Sequence, residues 1–341
     1  MNNSLIDFLF KSIDTPSPSG DENEVISLFS GFVSPFVNDI QTDVLGNCIA
    51  HKKGVGTKIM ITAHADEIGL MITYIDEHGY LYFKEIGGID TNLLPGQRVR
   101  LIGNNGIVIG VIGKKPIHLQ DKSDRGKELN LEDLWIDISA KNKADAQSQV
   151  CVGTVATFDS KPIKSSKSMV CSKSLDDKIG LAILAGVAQN LDKVNADVYL
   201  VATVQEELGA RGAQVVSNVL NPEIGIAIDV THATDYPTMS PLKDGDIRIG
   251  GGVVIPIGPN MNKLISQQFI DIASKDNIPY QLEAISRPTG TDAKMIQVSG
   301  KGIVTGLISI PCRYMHTPNE IVSLDDADSA VKLIVKYLKQ F

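Results

Sequence analysis

Leu5, Phe8 and Leu9 recur at helical spacing, and a second amphipathic stretch runs over residues 22–32, with Pro16-Ser17-Pro18-Ser19-Gly20 between them. Turn-forming residues in that run predict two short helices, over 4–13 and 22–32, rather than one long one. The period then changes. Lys58–His64 is a short apolar run ending in polar residues, the pattern of a buried strand whose carboxyl end opens into a site, so His64 and Asp66 are expected at a strand tip.

From about 67 to 165 the texture is that of short strands, with turns at Glu77-His78-Gly79 and Gly103-Asn104-Asn105-Gly106. This stretch reads as a β-rich insert within a discontinuous catalytic domain made of 1–66 and 166–341. It includes a charged stretch, 120–128, followed by LNLEDLWIDISA, which predicts a short helix and a strand. Beyond Lys167 helices and strands alternate. Helices are predicted over 177–191, 210–220, 260–276, 292–298 and 325–338, and strands over 197–204, 224–228, 280–284 and 303–310. The fold class is therefore α/β, with a mixed or mostly parallel sheet and an inserted β-rich domain. No internal repeat or low-complexity tract is visible.

At 341 residues, 43% hydrophobic and 21% charged, the chain has room for two domains. A formal charge of -8 without any basic run argues against nucleic acid as a partner, because binding a polyanion needs clustered Lys and Arg. The longest apolar runs are strand-sized, which argues against a membrane span. The first twenty residues lack a basic region followed by a continuous apolar one, so no secretion signal is read. The four cysteines have no short paired spacing, which fits reduced thiols and a cytoplasmic protein better than disulfides or a thiolate metal site.

The ends of the expected strands collect imidazoles and carboxylates: HADE at 64–67, LDD at 175–177, QEE at 205–207, IDVTH at 228–232 and YMHTPNE at 314–320. Nitrogen and oxygen donors without thiolate suit zinc, cobalt or manganese in an open catalytic site. Two cations roughly 3.5–4 Å apart need a carboxylate between them. Asp176 is the candidate bridge, with His64 and Asp229 on one cation and His316 and Glu207 on the other. Neighbouring side chains at a strand end diverge, so Glu207 can ligate while Glu206 faces substrate as the base that activates water. Asp66 is placed to accept the second ring proton of His64 and fix its tautomer.

Through these residues the sequence resembles the M42 metallo-aminopeptidases, which include glutamyl, deblocking and tetrahedral enzymes. The likeness is carried by PSGDENEV, AHADEIGLM, DKSDRGKELNLEDLWIDISA, SLDDKIG, TVQEELGARGA, AIDVTHATD, PTGTDA and PCRYMHTPNE. Carried over residue by residue, it implies metal binding by His64, Asp176, Glu207, Asp229 and His316, a general base at Glu206, and an orienting role for Asp66. It also implies a PDZ-like insert used in assembly, dimers that build a dodecamer around an internal chamber, and short peptides as substrates. By the same similarity Gly290, Thr291 and Asp292 lie near the substrate, where a turn and a carboxylate hold its free amino group. Lys178 stands where related sequences often have Arg, so no bidentate contact is expected from it.

Other groups receive simpler readings. His51 and His78 read as surface or turn residues, His118 as part of the insert, and His232 as near the site without ligating. Asp177 reads as a helix cap, with Asp176 the alternative. Gly250-Gly251-Gly252 lacks the following Lys and Ser or Thr of a phosphate loop and reads as close backbone packing. No GxSxG surrounds any serine, which argues against a nucleophilic serine hydrolase. Three rivals stay open: a metal-dependent deacylase, a glycoside hydrolase, which needs two carboxylates and no metal, and a non-catalytic assembly scaffold.

Overall fold

The architecture was obtained as a computed structural model, and the structure describes residues 1–120 and 129–341. Most of the charged stretch 120–128, and with it the DKSDRGKE part of the insert motif, lies outside the described residues. Among the described residues no helix is long and apolar enough to cross a membrane.

An eight-stranded mixed sheet forms the main body. Four of its strands run parallel side by side: Asp197–Thr203, Lys58–His64, Ile224–His232 and Val304–Cys312. Each is a run of apolar residues buried on both faces, as central parallel strands must be. Asp39–Thr42 and Cys48–Lys52 extend one side antiparallel, while Val253–Ile257 and Tyr280–Ala284 extend the other. The helix Leu175–Asn190 lies against the sheet and is buried almost throughout, between the sheet and the helices Asn3–Asp14, Asn23–Val33 and Leu324–Leu338. Helices Arg211–Leu220 and Asp292–Val298 cover the other face. The expected α/β organisation is found, and the strand predicted over 224–228 runs on to His232.

The β-rich stretch forms a closed barrel from Gly69–Ile75, Leu81–Ile86, Trp135–Asp137, Gly106–Gly113, Arg98–Gly103 and Val155–Phe158. It has its own core, which includes Leu70, Leu81, Val99, Leu101, Ile136 and Phe158. A helix not expected from the sequence, Lys143–Gln149, belongs to the same region. Its only buried residue is Ala146, so no apolar period announces it, and Asn142 caps it by accepting from the Asp145 amide at 3.0 Å. Gly250-Gly251-Gly252 is close packing: a Cβ on Gly252 would stand 2.2 Å from the main chain of Pro279.

A buried charged cluster ties barrel, amino-terminal loop and sheet together. Glu67 Oε1 accepts from the Ser17 amide at 2.9 Å, and Oε2 accepts from Thr157 Oγ1 at 2.8 Å and Lys173 Nζ at 2.5 Å. Lys178, fully buried, donates to Ser17 Oγ and the Ala65 carbonyl, a pair of contacts that a point-like ammonium makes without the fork of an arginine. Burial lowers the Lys178 pKa to about 8, against the opposing pull of the Glu67 charge. Glu67 and Lys173 are each 2% exposed, so removing one partner leaves the other charge buried and uncompensated. Glu67→Ala is therefore expected to destabilise the protein by about 3–5 kcal/mol, read as a fall in the denaturant midpoint. A shift under about 1 kcal/mol would mean the pair is hydrated like a surface ion pair.

Candidate metal centre

The parallel strands bring their carboxyl ends to one edge of the sheet, where Thr203 is level with His64, and Asp229 with Ser309. This edge is where open α/β sheets bind ligands. His64 ends its strand, Glu206 and Glu207 come just after Thr203, Asp229 lies inside its strand, and His316 follows Cys312 by a short loop. Asp176 arrives from the start of the helix Leu175–Asn190. Several of these turns need left-handed backbone: Ser174, Gln205 and His316 have φ of 51°, 55° and 61°. Non-glycine residues held there cost free energy and cluster at functional sites.

The geometry centres on Asp176. Its Oδ1 lies 3.0 Å from His64 Nε2, and its Oδ2 lies 3.3 Å from His316 Nε2. His316 Nε2 is also 3.2 Å from Glu207 Oε1. His64, Asp176 and Glu207 each offer a ligand atom within 4.8 Å of the others, and so do His64, Asp177 and Asp229. The Asp177 carboxylate is already engaged: Oδ1 accepts from the Gly180 amide at 3.0 Å and Oδ2 from the His64 amide at 3.3 Å. It caps the helix and fastens it to the strand. A Cβ on Gly180 would fall 2.2 Å from Asp177 Oδ2, so the cap requires glycine there.

Supporting groups hold this arrangement. Asp66 is fully buried; its Oδ1 accepts from the Glu206 amide at 2.9 Å, and its Oδ2 from the Glu207 amide at 3.1 Å and Ser19 Oγ at 2.6 Å. His64 Nδ1 is nearest the main-chain oxygen of Asp66, at 3.1 Å, with the carboxylate at 3.4 Å. Asp66 thus grips the Glu206-Glu207 turn as well as facing His64, a role its spacing from His64 did not announce. Glu320, the acid that ends YMHTPNE and to which the sequence assigns no role, accepts from the Asp176 amide at 3.0 Å and the His316 amide at 2.9 Å. One signal was available: an acid heading the apolar strand Glu320–Ser323, which pairs with Met169–Ser172 just before Asp176. Glu206 itself is 8% exposed, and its carboxylate makes no hydrogen bond among the described residues.

Electrostatics fit the site to a cation. Burial pulls the His64 and His316 imidazolium forms down, but carboxylates more than offset it: Asp176 and Asp66 hold His64 well up, and Asp176 and Glu207 lift His316 to about 11. Burial opposes ionisation of Asp176, yet His316 and His64 hold its carboxyl below the usual range. Glu206, Asp229 and Glu320 are pushed well up, first by burial and then by neighbouring carboxylates. The protein supplies more buried carboxylate than cation here, the imbalance that divalent ions with nitrogen and oxygen ligands offset.

A cavity of about 760 Å³ opens from this cluster, lined by Asp176, Glu206, Glu207, Asp229 and His316 and farther out by Gly290 and Thr291. Asp292 does not reach it. That carboxylate is 2% exposed and accepts from Thr203 Oγ1 at 2.7 Å. Thr291 caps the helix Asp292–Val298. His232 lines the cavity, whereas His51 stacks on Tyr199 and pairs with Asp197 away from it.

The model of the M42 glutamyl aminopeptidase family matches residues 46–333. A lysyl aminopeptidase of Pyrococcus furiosus is 37% identical over 97% of this chain and 95% of its own. An aminopeptidase of the archaeon Desulfurococcus kamchatkensis superposes with a TM-score of 0.93 at 36% identity, over 99% of this chain and 95% of that one. The TET1 peptidase of Pyrococcus horikoshii, described as assembling into a tetrahedron or a large octahedral shell, gives 0.89 at 32% identity, over 99% and 100%. Sequence, fold and a buried cluster of imidazoles and carboxylates agree, and the chain belongs to the M42 family as a metal-dependent aminopeptidase.

Proposed function

We propose that two divalent cations, zinc or cobalt and by the same chemistry manganese, are held by His64, Asp176, Glu207, Asp229 and His316, with Asp176 shared between them. The observation that carries this is the Asp176 carboxylate, whose two oxygens face different imidazoles. When bound, such cations lower the pKa of water and polarise a carbonyl. Glu206 faces the same cavity with its carboxylate free. It takes the proton of the attacking water and returns it to the departing amine, while Asp66 holds the Glu206 and Glu207 amides so that one acid ligates and the other moves protons. Gly290 and Thr291 lie against the amino-terminal residue of a short peptide.

We assign residues 67–165 to assembly, as a PDZ-like domain inserted in a catalytic domain of 1–66 and 166–341. Ile107, Ile109 and Val111 are 45%, 50% and 43% exposed on one barrel strand, a row of apolar side chains suited to burial between subunits. Dimers building a dodecamer in the cytoplasm is the form we assign. Aminoacyl chromogenic substrates and their amino-acetylated counterparts, assayed with each metal, test the reaction. Cleavage confined to free amines and abolished by a chelator is expected. Cleavage confined to blocked amines would favour the deacylase, chelator-resistant glycoside cleavage the glycosidase, and no turnover with metal bound the scaffold.

A further inference from the structure

Among the described residues, the cavity wall beyond the metal cluster carries one more carboxylate, Glu283, on the edge strand Tyr280–Ala284. It is half-buried, and both its oxygens stand 3.0 Å from the Thr231 hydroxyl, which has a single proton to donate. Among the described residues it has no ion-pair partner. Burial raises its carboxyl pKa, with only the Thr231 hydrogen bond opposing. A carboxylate partly stripped of water and left without a cation is costly unless something cationic enters the cavity.

The position suits the first side chain of a peptide. Thr231 follows Asp229 by two residues on the same strand, so their side chains leave one face about 7 Å apart. A lysine stem spans on the order of 6 Å, enough to run from a backbone held beside Asp229 to the Glu283 carboxylate. Ile285 and Leu307 line the same cavity and give the methylenes an apolar surface. Arg287 also lines the cavity, but it is solvent-exposed on the 285–291 segment, where its charge is screened more than that of Glu283.

We propose that Glu283 selects peptides whose first residue bears a cationic side chain, lysine or arginine. This assignment rests on the proposed aminopeptidase chemistry and names its substrate class. The test compares kcat/KM for lysyl, arginyl, leucyl and glutamyl chromogenic amides in the metal-loaded wild type and in Glu283→Gln. The wild type is expected to favour lysyl and arginyl over leucyl by at least tenfold, and Glu283→Gln to lower the lysyl-to-leucyl ratio at least tenfold, chiefly through KM. Leucyl turnover without a cationic preference in the wild type overturns the assignment, whatever the variant's folding. So does an unchanged ratio in a folded Glu283→Gln, or a glutamyl preference that Arg287→Ala removes. Absence of turnover on all four amides overturns the aminopeptidase reading, and the assignment with it.

Discussion

Glu206→Gln is expected to lower kcat by on the order of 10²–10⁴-fold while the protein takes up metal as the wild type does. The amide keeps the size and polarity of the side chain and loses only the ability to accept and return a proton. Nothing else holds the Glu206 carboxylate among the described residues, whereas its main-chain amide is bound by Asp66 at 2.9 Å, so the turn survives the substitution. KM for a fixed substrate should change far less than kcat, because the cavity keeps its shape. Steady-state kinetics with metal analysis of the same sample check it. A kcat within tenfold of wild type would show that another group moves the proton.

Asp176→Ala is expected to remove turnover and metal together. Among the described residues it is the only side chain whose two oxygens meet both His64 and His316, at 3.0 and 3.3 Å, so its loss unlinks the two halves of the cluster and leaves His64 with Asp66 and His316 with Glu207. The fold should persist, because the carboxylate that caps the helix is that of Asp177. Without metal the variant loses the Asp176 contacts to His64 and His316, but it also loses one of several crowded acids, which relieves repulsion on Asp229 and Glu207 and offsets that loss. Thermal unfolding with excess chelator is therefore expected to match the chelated wild type, whereas unfolding with metal should show stabilisation only in the wild type. A variant that melts much lower under chelation would assign Asp176 a structural role instead.

Much of this arrangement is legible in the sequence because central parallel strands are continuous apolar runs, and the sheet edge presents the residues at the carboxyl end of each run. His64, Glu206-Glu207 and Asp229 stand out by that rule, and Asp176 and His316 by their chemical type. Local pattern fails where stability is not local. Val253–Ile257 contains Pro256, which argues against a strand, yet it pairs on both sides and places the edge strand that carries Glu283. Cys48–Lys52 is short and followed by glycines, so its pairing with Asp197–Thr203 leaves little trace in the chain. Glu320 and the second task of Asp66 are hard to read for another reason: each carboxylate binds main-chain amides more than a hundred positions away, at Asp176 and at Glu206 and Glu207, and no spacing encodes that. Asp292 shows the reverse, a motif residue whose neighbours face the cavity while its own carboxylate turns to Thr203.

On the proposed reading Asp176 joins two cations in one chain, so counting metal atoms per chain tests the bridge. Elemental analysis after loading and exhaustive dialysis should give about two divalent ions per chain in the wild type and in Glu206→Gln, and fewer than about one in Asp176→Ala. A single ion in the wild type, or a full complement retained by Asp176→Ala, would contradict a bridging Asp176.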